Sequence, residues 1–520
     1  SIRWTFSPML DLCHDPRWGR IAEGPGEDPL LGCRMAKACV KGFQGDDLTA
    51  EDSILACAKH YLGYGASEGG RDYFRTEISD STLYNYILPA FRAAVEAGVG
   101  TVMSSFNDIN GIPVSGSRKY LNDILREELG FDGFVVSDWG AVEQLEHAGF
   151  TGSRRESAKR AINAGLDLDM CDRCYIENLE DLVKSGEVEE SVIDTAVSRI
   201  LCVKLAIGLF EKPYGKEVGF DRNEHLDDAY ALAAESMVLL KNNGALPLQK
   251  GKKIALSGPF SEERRTLLGT WTLDGSADET ANFREALSEK PGADFEFCPD
   301  GKLPENTSDA DTVVLALGEN YMRTGENHSV SDISLENKQV ELAKKAKLSG
   351  KKVVGVFFCG RPMALGDVEE YLDAILYAWH SGSKTAEAVA DILYGDIVPS
   401  GKTPVTFPRK ATHIPLYYNV TSSGHPVNGY YGENPYDNYL DGISTPLYPF
   451  GYGLSYTVFE YGKIQTETFE IPLEELKNGK TFRLSVSVSN TGDFDGKETV
   501  QLYIRDKVAS IIRPIRELKD

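Results

Sequence analysis

The sequence predicts an α/β protein built as two successive units of alternating strands and helices, with a small all-β unit after them. Three observations carry this. Residues 1–213 alternate short apolar runs with helical patterns, which is how βα units read. The alternation breaks at Phe210-Glu211-Lys212-Pro213-Tyr214-Gly215, where Pro and Gly punctuate the chain, and resumes from His225. Near the far end Phe482, Leu484, Val486 and Val488 fall on every second position, the period of a half-buried strand. A chain of 520 residues is also too long for one core.

In the first unit, apolar runs at Phe6 to Asp11, Ile54 to His60, Val102 to Asn107, Phe134 to Val136 and Leu166 to Asp169 each stop in polar residues. Such runs read as buried parallel strands. Asn122 to Leu129 and Ser191 to Leu209 read as amphipathic helices, the second with Ile193, Val197, Ile200 and Leu201 at helical spacing. Residues 1–213 are therefore expected to form a (β/α) TIM-like barrel, but an incomplete one. A full eight-stranded barrel takes roughly 250 residues, and at most six plausible strands are found here.

Residues 214–224 read as a linker. Residues 225–410 are expected to form an α/β sandwich, with helices at His225 to Leu240, Asn337 to Leu348 and Ser383 to Leu393 and strands at Lys253 to Leu256, Thr312 to Leu317 and Lys352 to Phe358. Residues 411–456, rich in Tyr, Pro, Gly and Asn, read as a second linker laid over a surface. Residues 457–520, with Phe482 to Val488 and Val500 to Ile504, suit a partial fibronectin type III-like β-sandwich.

Composition excludes several classes of partner. The formal charge of −24, from 79 acidic against 55 basic residues, disfavours nucleic acid and anionic membranes and favours a neutral substrate. No apolar run approaches the roughly 18 residues that span a bilayer. Nine cysteines, an odd number at irregular spacing, do not read as a disulfide framework. Cys171 and Cys174 lack the second pair or His partners of a zinc site and are expected to be free thiols. Gly395 to Thr403 looks like a phosphate loop, but five residues rather than four separate its glycines and a helix precedes it, so a turn is expected.

The chemistry centres on Asp138, which ends the apolar run Phe134-Val135-Val136 and is followed by Trp139 and Gly140. In a (β/α) barrel the C-terminal strand ends carry the catalytic groups. A strand-end Asp can equally cap the next helix. The neighbouring runs that also end in polar clusters favour the catalytic reading.

Val136-Ser137-Asp138-Trp139-Gly140-Ala141 resembles the nucleophile motif of family 3 glycoside hydrolases, in particular their β-glucosidases. Asp15-Pro16-Arg17-Trp18-Gly19-Arg20 with Gly26-Glu27-Asp28-Pro29, Ala58-Lys59-His60-Tyr61, Phe106 to Gly111 and Tyr448 to Tyr456 are similar to further motifs of that family, in family order over nearly the whole chain. The resemblance implies a retaining exo-β-glucosidase acting on short β-glucosides or cello-oligosaccharides, with β-xylosidase or mixed specificity, or a non-catalytic sugar-binding protein, as alternatives. Its transition state needs two carboxyls. Asp138 would be the nucleophile and Glu326, on a loop of the second unit, the acid/base, with Glu319 its competitor. Arg20, Lys59 and His60 would hold sugar hydroxyls, Arg71 would shape the same pocket, Trp139 would lie against the ring, and Met103 would pack near the pocket. Related loops often carry Arg where Val330 stands and Pro where Glu336 stands. No metal or organic cofactor is expected. Compartment is left open by the sequence, the family inclining it towards a periplasmic or secreted place. Relatives normally have an upstream segment supplying the first strands and a sugar-binding Asp. The expectation is therefore a fragment of a longer protein, or a chain completed by further polypeptide or by homo-oligomerisation.

Overall fold

The computed structural model describes residues 2–214, 221–299, 301–303, 307–421, 439–443 and 445–520. Parts of both expected linkers, 214–224 and 411–456, lie outside the described residues.

The first unit is organised on a parallel sheet of three regular strands, Cys57–Tyr61, Thr101–Ser104 and Phe134–Val136, in that spatial order. Isolated parallel bridges extend it on both sides, Trp4 to Leu55 and Met9 to Lys59 on one edge and Val136 to Leu168 on the other. Five successive segments thus lie side by side in chain order, with helices between them. Thr101–Ser104 and Phe134–Val136 are buried at every residue, which is why they read as unbroken apolar runs. The helix Pro29–Gln44 starts where Asp28 accepts the Leu31 N–H and Pro29 has no N–H to satisfy. The second strand-to-helix crossover uses Leu88–Glu96, and the fourth uses Arg154–Ala164, which stops at Gly165 with φ +99°.

The second unit holds a six-stranded sheet in the order Val238–Asn242, Ala374–Tyr377, Lys352–Phe358, Thr312–Gly318, Lys253–Ser257, Asp294–Cys298. Five strands run parallel and Val238–Asn242 runs antiparallel at one edge. This corrects one expectation: the helix anticipated from His225 through Leu240 runs only from Arg222 to Ser236. Leu239 packs into the core on one face of the sheet while Val238 and Leu240 pack into the core on the other. Three consecutive apolar residues facing opposite cores are satisfied by a strand, whose side chains alternate. Gly395, with φ +74°, caps the helix Thr385–Tyr394, so the first glycine of the supposed phosphate loop serves a helix end.

Beyond residue 457 the chain forms three short antiparallel pairs: Phe459–Tyr461 with Val488–Asn490, Gln465–Thr466 with Leu484–Ser485, and Tyr503–Ile504 with Glu517–Leu518. Among these described residues only Thr457 and Ile515 are buried. No helix among the described residues is long and apolar enough to cross a membrane.

The two α/β units are joined through buried polar contacts. The Glu27 carboxylate, fully buried in the first unit, accepts from Thr406 N (2.9 Å), Thr406 Oγ1 (2.7 Å) and Tyr418 N (3.0 Å). The loop before Arg20 and the loop after Thr312–Gly318 meet in the same way, and that junction builds the site.

Candidate active site

Asp138 sits on a turn fixed from the neighbouring segment. Ser137 N donates to Leu168 O (2.9 Å), Met170 N to Ser137 Oγ (2.9 Å) and Gly140 N to Met170 O (2.9 Å). Gly140 adopts φ +67°, a conformation that glycine takes without penalty. Asp138 is 7% exposed. Its Oδ1 accepts the Trp139 backbone N–H at 2.7 Å. Its Oδ2 is buried, has no hydrogen-bond partner, and lies 3.5 Å from His60 Nε2. Burial raises the Asp138 carboxyl to about 6 against the opposing pull of the Trp139 N–H, Arg20 and Lys59, while the charge of Glu326 adds to the rise.

Lys59 and His60 come from the end of Cys57–Tyr61, where the pairing with the next strand shifts register between Ala58 and Tyr61. Such an irregularity re-aims side chains, and both neighbours act on Asp138: His60 by contact, Lys59 by charge. Asp11 Oδ2 accepts the His60 backbone N–H (2.9 Å) and shares a hydrogen bond of 2.8 Å with the ring Nδ1. Burial, with the charges of Arg20 and Lys59, holds the His60 imidazole well below its ordinary value. The ring is therefore neutral, with Nδ1 on Asp11 and Nε2 turned towards Asp138.

Glu326 arrives from the second unit. Gly325 N donates to Gly19 O (2.8 Å) and Val330 N to Arg17 O (3.0 Å). Asp72 accepts the Asn327 N–H (2.6 Å), and its own N–H donates to Ser329 Oγ (2.9 Å). The approach is so close that a Cβ on Gly19 would lie 2.2 Å from Gly325 O and 2.6 Å from His328 O. Glu326 Oε1 then accepts the Tyr73 hydroxyl at 2.8 Å and faces Arg20 Nη1 at 3.2 Å. The remaining face of the Arg20 guanidinium, 1% exposed, is gripped by Glu23 through two bonds of 3.0 Å.

Of the residues named from sequence, Asp138, Glu326, Arg20, Lys59 and His60 are thus brought together. Trp139 stands beside them with its indole 68% exposed. Met103 is buried with Cys57, Phe134 and Val136, so it packs beneath the site. Arg71 makes none of these contacts: it pairs with Glu68 at the rim and lies over the Phe74 ring, because the Asp72 next to it is the residue tied to the Glu326 loop. Glu319 is buried beside Arg361 and Arg323.

Three contributors were not singled out from sequence. Asp11 ends an apolar run, which was a signal, but its partner His60 is 49 residues away. Tyr73, held at φ +60°, and Trp271, held at φ +55° with Lys59 Nζ 5.6 Å from its ring centre, carry no local mark of their role. A cavity of about 270 Å³ adjoins the site, lined by Tyr73, Asn107, Ser115 and Gln144, the last bonded to the Trp139 carbonyl. Among the described residues no group of three or more His, Cys, Asp or Glu is arranged to hold a metal ion. Cys171 is exposed and Cys174 buried, both as free thiols.

Two carboxyls from different units, one with an unpartnered oxygen and one held by a hydroxyl and a guanidinium, are the equipment of a glycoside hydrolase. Residues 1–203 match the glycosyl hydrolase family 3 N terminal domain and residues 237–456 its C-terminal domain. The chain belongs to glycoside hydrolase family 3. It is similar to the periplasmic beta-glucosidase of Salmonella typhimurium, 35% identical with all of this chain and 73% of the relative covered. It is also similar to a beta-xylosidase of Formosa agariphila, 36% identical with 100% and 75% covered. Among solved structures, the beta-glucosidase of Listeria innocua in complex with isofagomine superposes with a TM-score of 0.93 at 39% identity, over 100% of this chain and 74% of that one.

Proposed function

We propose that this chain is a retaining exo-β-glucosidase that removes terminal nonreducing β-D-glucosyl residues from short β-glucosides or cello-oligosaccharides. The observation that carries the mechanism is the Asp138 carboxylate: one oxygen is fixed by the Trp139 N–H and the other is buried without a partner. Asp138 Oδ2 attacks the anomeric carbon as the bond to the leaving oxygen breaks, and Glu326 gives that oxygen its proton. The product is a glycosyl ester on Asp138. Glu326, now a base, takes a proton from water, whose oxygen attacks the same carbon and releases Asp138. Arg20, held by Glu23, keeps Glu326 in place, and Lys59 and the Nε2 of His60 hydrogen-bond sugar hydroxyls. Trp139 and Trp271 offer apolar faces to the rings. Arg71 remains a rim candidate for a longer substrate, and Met103 supports the floor.

The support for glucose is the beta-glucosidase relatives, among them a Listeria innocua structure in complex with glucose at 38% identity. The beta-xylosidases at 36% identity favour a second reading, mixed β-glycosidase activity. The finer architecture we assign is a (β/α) barrel over 1–213, an α/β sandwich over 225–410 and a fibronectin type III-like unit over 457–520, with linkers 214–224 and 411–456 between them.

A 2-fluoro-glucoside inactivator followed by peptide mapping tests the assignment. Label on Asp138, and loss of turnover in Asp138→Asn with the fold kept, are expected; label on another carboxylate refutes it. A panel of chromogenic β-glucosides and β-xylosides decides between the two specificities.

A further inference from the structure

We infer that Arg361 is a positioning residue that assembles this two-domain site, by holding the Glu326 loop against the Arg20 loop. Arg361 lies just past the strand Lys352–Phe358 and is fully buried. A guanidinium has five N–H donors, and here each has an acceptor. Nε donates to Glu319 Oε1 (2.8 Å). Nη1 donates to the carbonyls of Pro16 (2.5 Å) and Trp18 (3.4 Å). Nη2 donates to the carbonyls of Arg323 and of His328, the latter at 3.3 Å. Pro16 and Trp18 lead into Arg20, and Arg323 and His328 bracket Glu326. One side chain therefore spans both halves of the site without being placed among the groups that meet substrate.

The choice of residue follows from this geometry. A planar fork sends its bonds in fixed directions, whereas an ammonium offers three donors from one point. The buried charge is compensated by Glu319, whose other oxygen accepts from Arg323 Nε at 3.2 Å. This gives Glu319 a role distinct from acid/base chemistry. Close approach is also secured by Gly360, where a Cβ would lie 2.7 Å from Thr324 Oγ1 in the loop before Glu326. Since Glu326 and Asp138 stand on different units, their separation is set by how these loops dock. A displacement of about 1 Å in such a group costs on the order of 10²-fold in rate.

This inference rests on reading Glu326 as the acid/base, and its test separates the two. Arg361→Lys, Glu319→Gln and Glu326→Ala are assayed in the full chain on aryl β-glucosides from dinitrophenyl to phenyl, with melting curves alongside. A dinitrophenolate leaves without a proton, so only poor leaving groups report the acid. Arg361→Lys is expected to lose about 10²-fold or more in kcat/KM on the phenyl glucoside and less than about tenfold on the dinitrophenyl one. Glu319→Gln, whose amide oxygen still accepts from Nε, is expected to lose less than Arg361→Lys on the phenyl glucoside. Equal losses across the series in a folded Arg361→Lys, or no loss, overturn the inference while leaving Glu326 untouched. A flat series for Glu326→Ala, with a steep one rescued by azide for Glu319→Gln, overturns the acid/base reading itself and this inference with it. Should Arg361→Lys fail to fold, Gly19→Ala, which wedges the same two loops apart, must give the same steepening, and a flat series there refutes the inference.

Discussion

At the scale of single residues, the site shows how a structural and a functional role coincide in one side chain. Arg20 forms the ion pair with Glu23 that its spacing suggests, and that pair leaves Nη1 free to face Glu326. His60 is a satisfied buried histidine through Asp11, and the same bond orients the ring so that Nε2 faces Asp138. Asp138 gives a pH prediction. Burial raises the carboxyl to about 6, so the protonated, non-nucleophilic form predominates below that value. The acid limb of kcat/KM should therefore bend near pH 6 and fall about tenfold per unit below it. A pH–rate profile flat down to pH 4 would show that the nucleophile is a more exposed carboxylate.

At the scale of elements, strands supply one half of the site and loops the other, and the loop with Glu326 is pinned by hydrogen bonds to the backbone of residues 17 and 19 and to the Asp72 side chain. The adjoining loop adds Tyr73, whose strained φ of +60° is sustained by its ring packing edge-on against Phe106 and its hydroxyl bond to Glu326. Tyr73→Phe removes that bond alone. Since a hydrogen bond to a charged group is worth about 1.5–3 kcal/mol, it should lower kcat/KM on poor leaving groups by about tenfold or more while the melting temperature stays close to wild type. An unchanged rate would mean that Arg20 alone orients Glu326.

At the scale of the whole molecule, the two α/β units are latched by a buried carboxylate without an adjacent cation among its hydrogen-bond partners. Burial raises Glu27 from 4.5 to about 7, opposed by the bonds from Thr406 and Tyr418. Between those values the folded chain holds more protons than the unfolded one, so this group's stabilisation is fully present below pH 4.5 and is lost as pH rises through 7. Glu27→Gln should remove about 3 kcal/mol of that slope, read by denaturant unfolding at several pH values. Identical slopes in both proteins would show that Glu27 does not titrate on folding. What the sequence settled by itself was whatever short-range pattern encodes: buried runs such as Phe134-Val135-Val136, the βα alternation, and a carboxylate at a strand end. Periodicity and capping act over a few residues, so they are legible without a fold. It failed even locally at Val238–Asn242, where an apolar run following a helix is continuous in pattern and only the presence of a core on each side decides for a strand. The tertiary structure alone decided that Arg71 pairs with Glu68, that Trp271 reaches Lys59, and that Glu326 meets Arg20 while Glu319 meets Arg361. Two glutamates seven residues apart on one loop carry the same local signal. Which one meets Arg20 depends on contacts with residues some 300 positions away in the chain, and those exist only once the two units have docked.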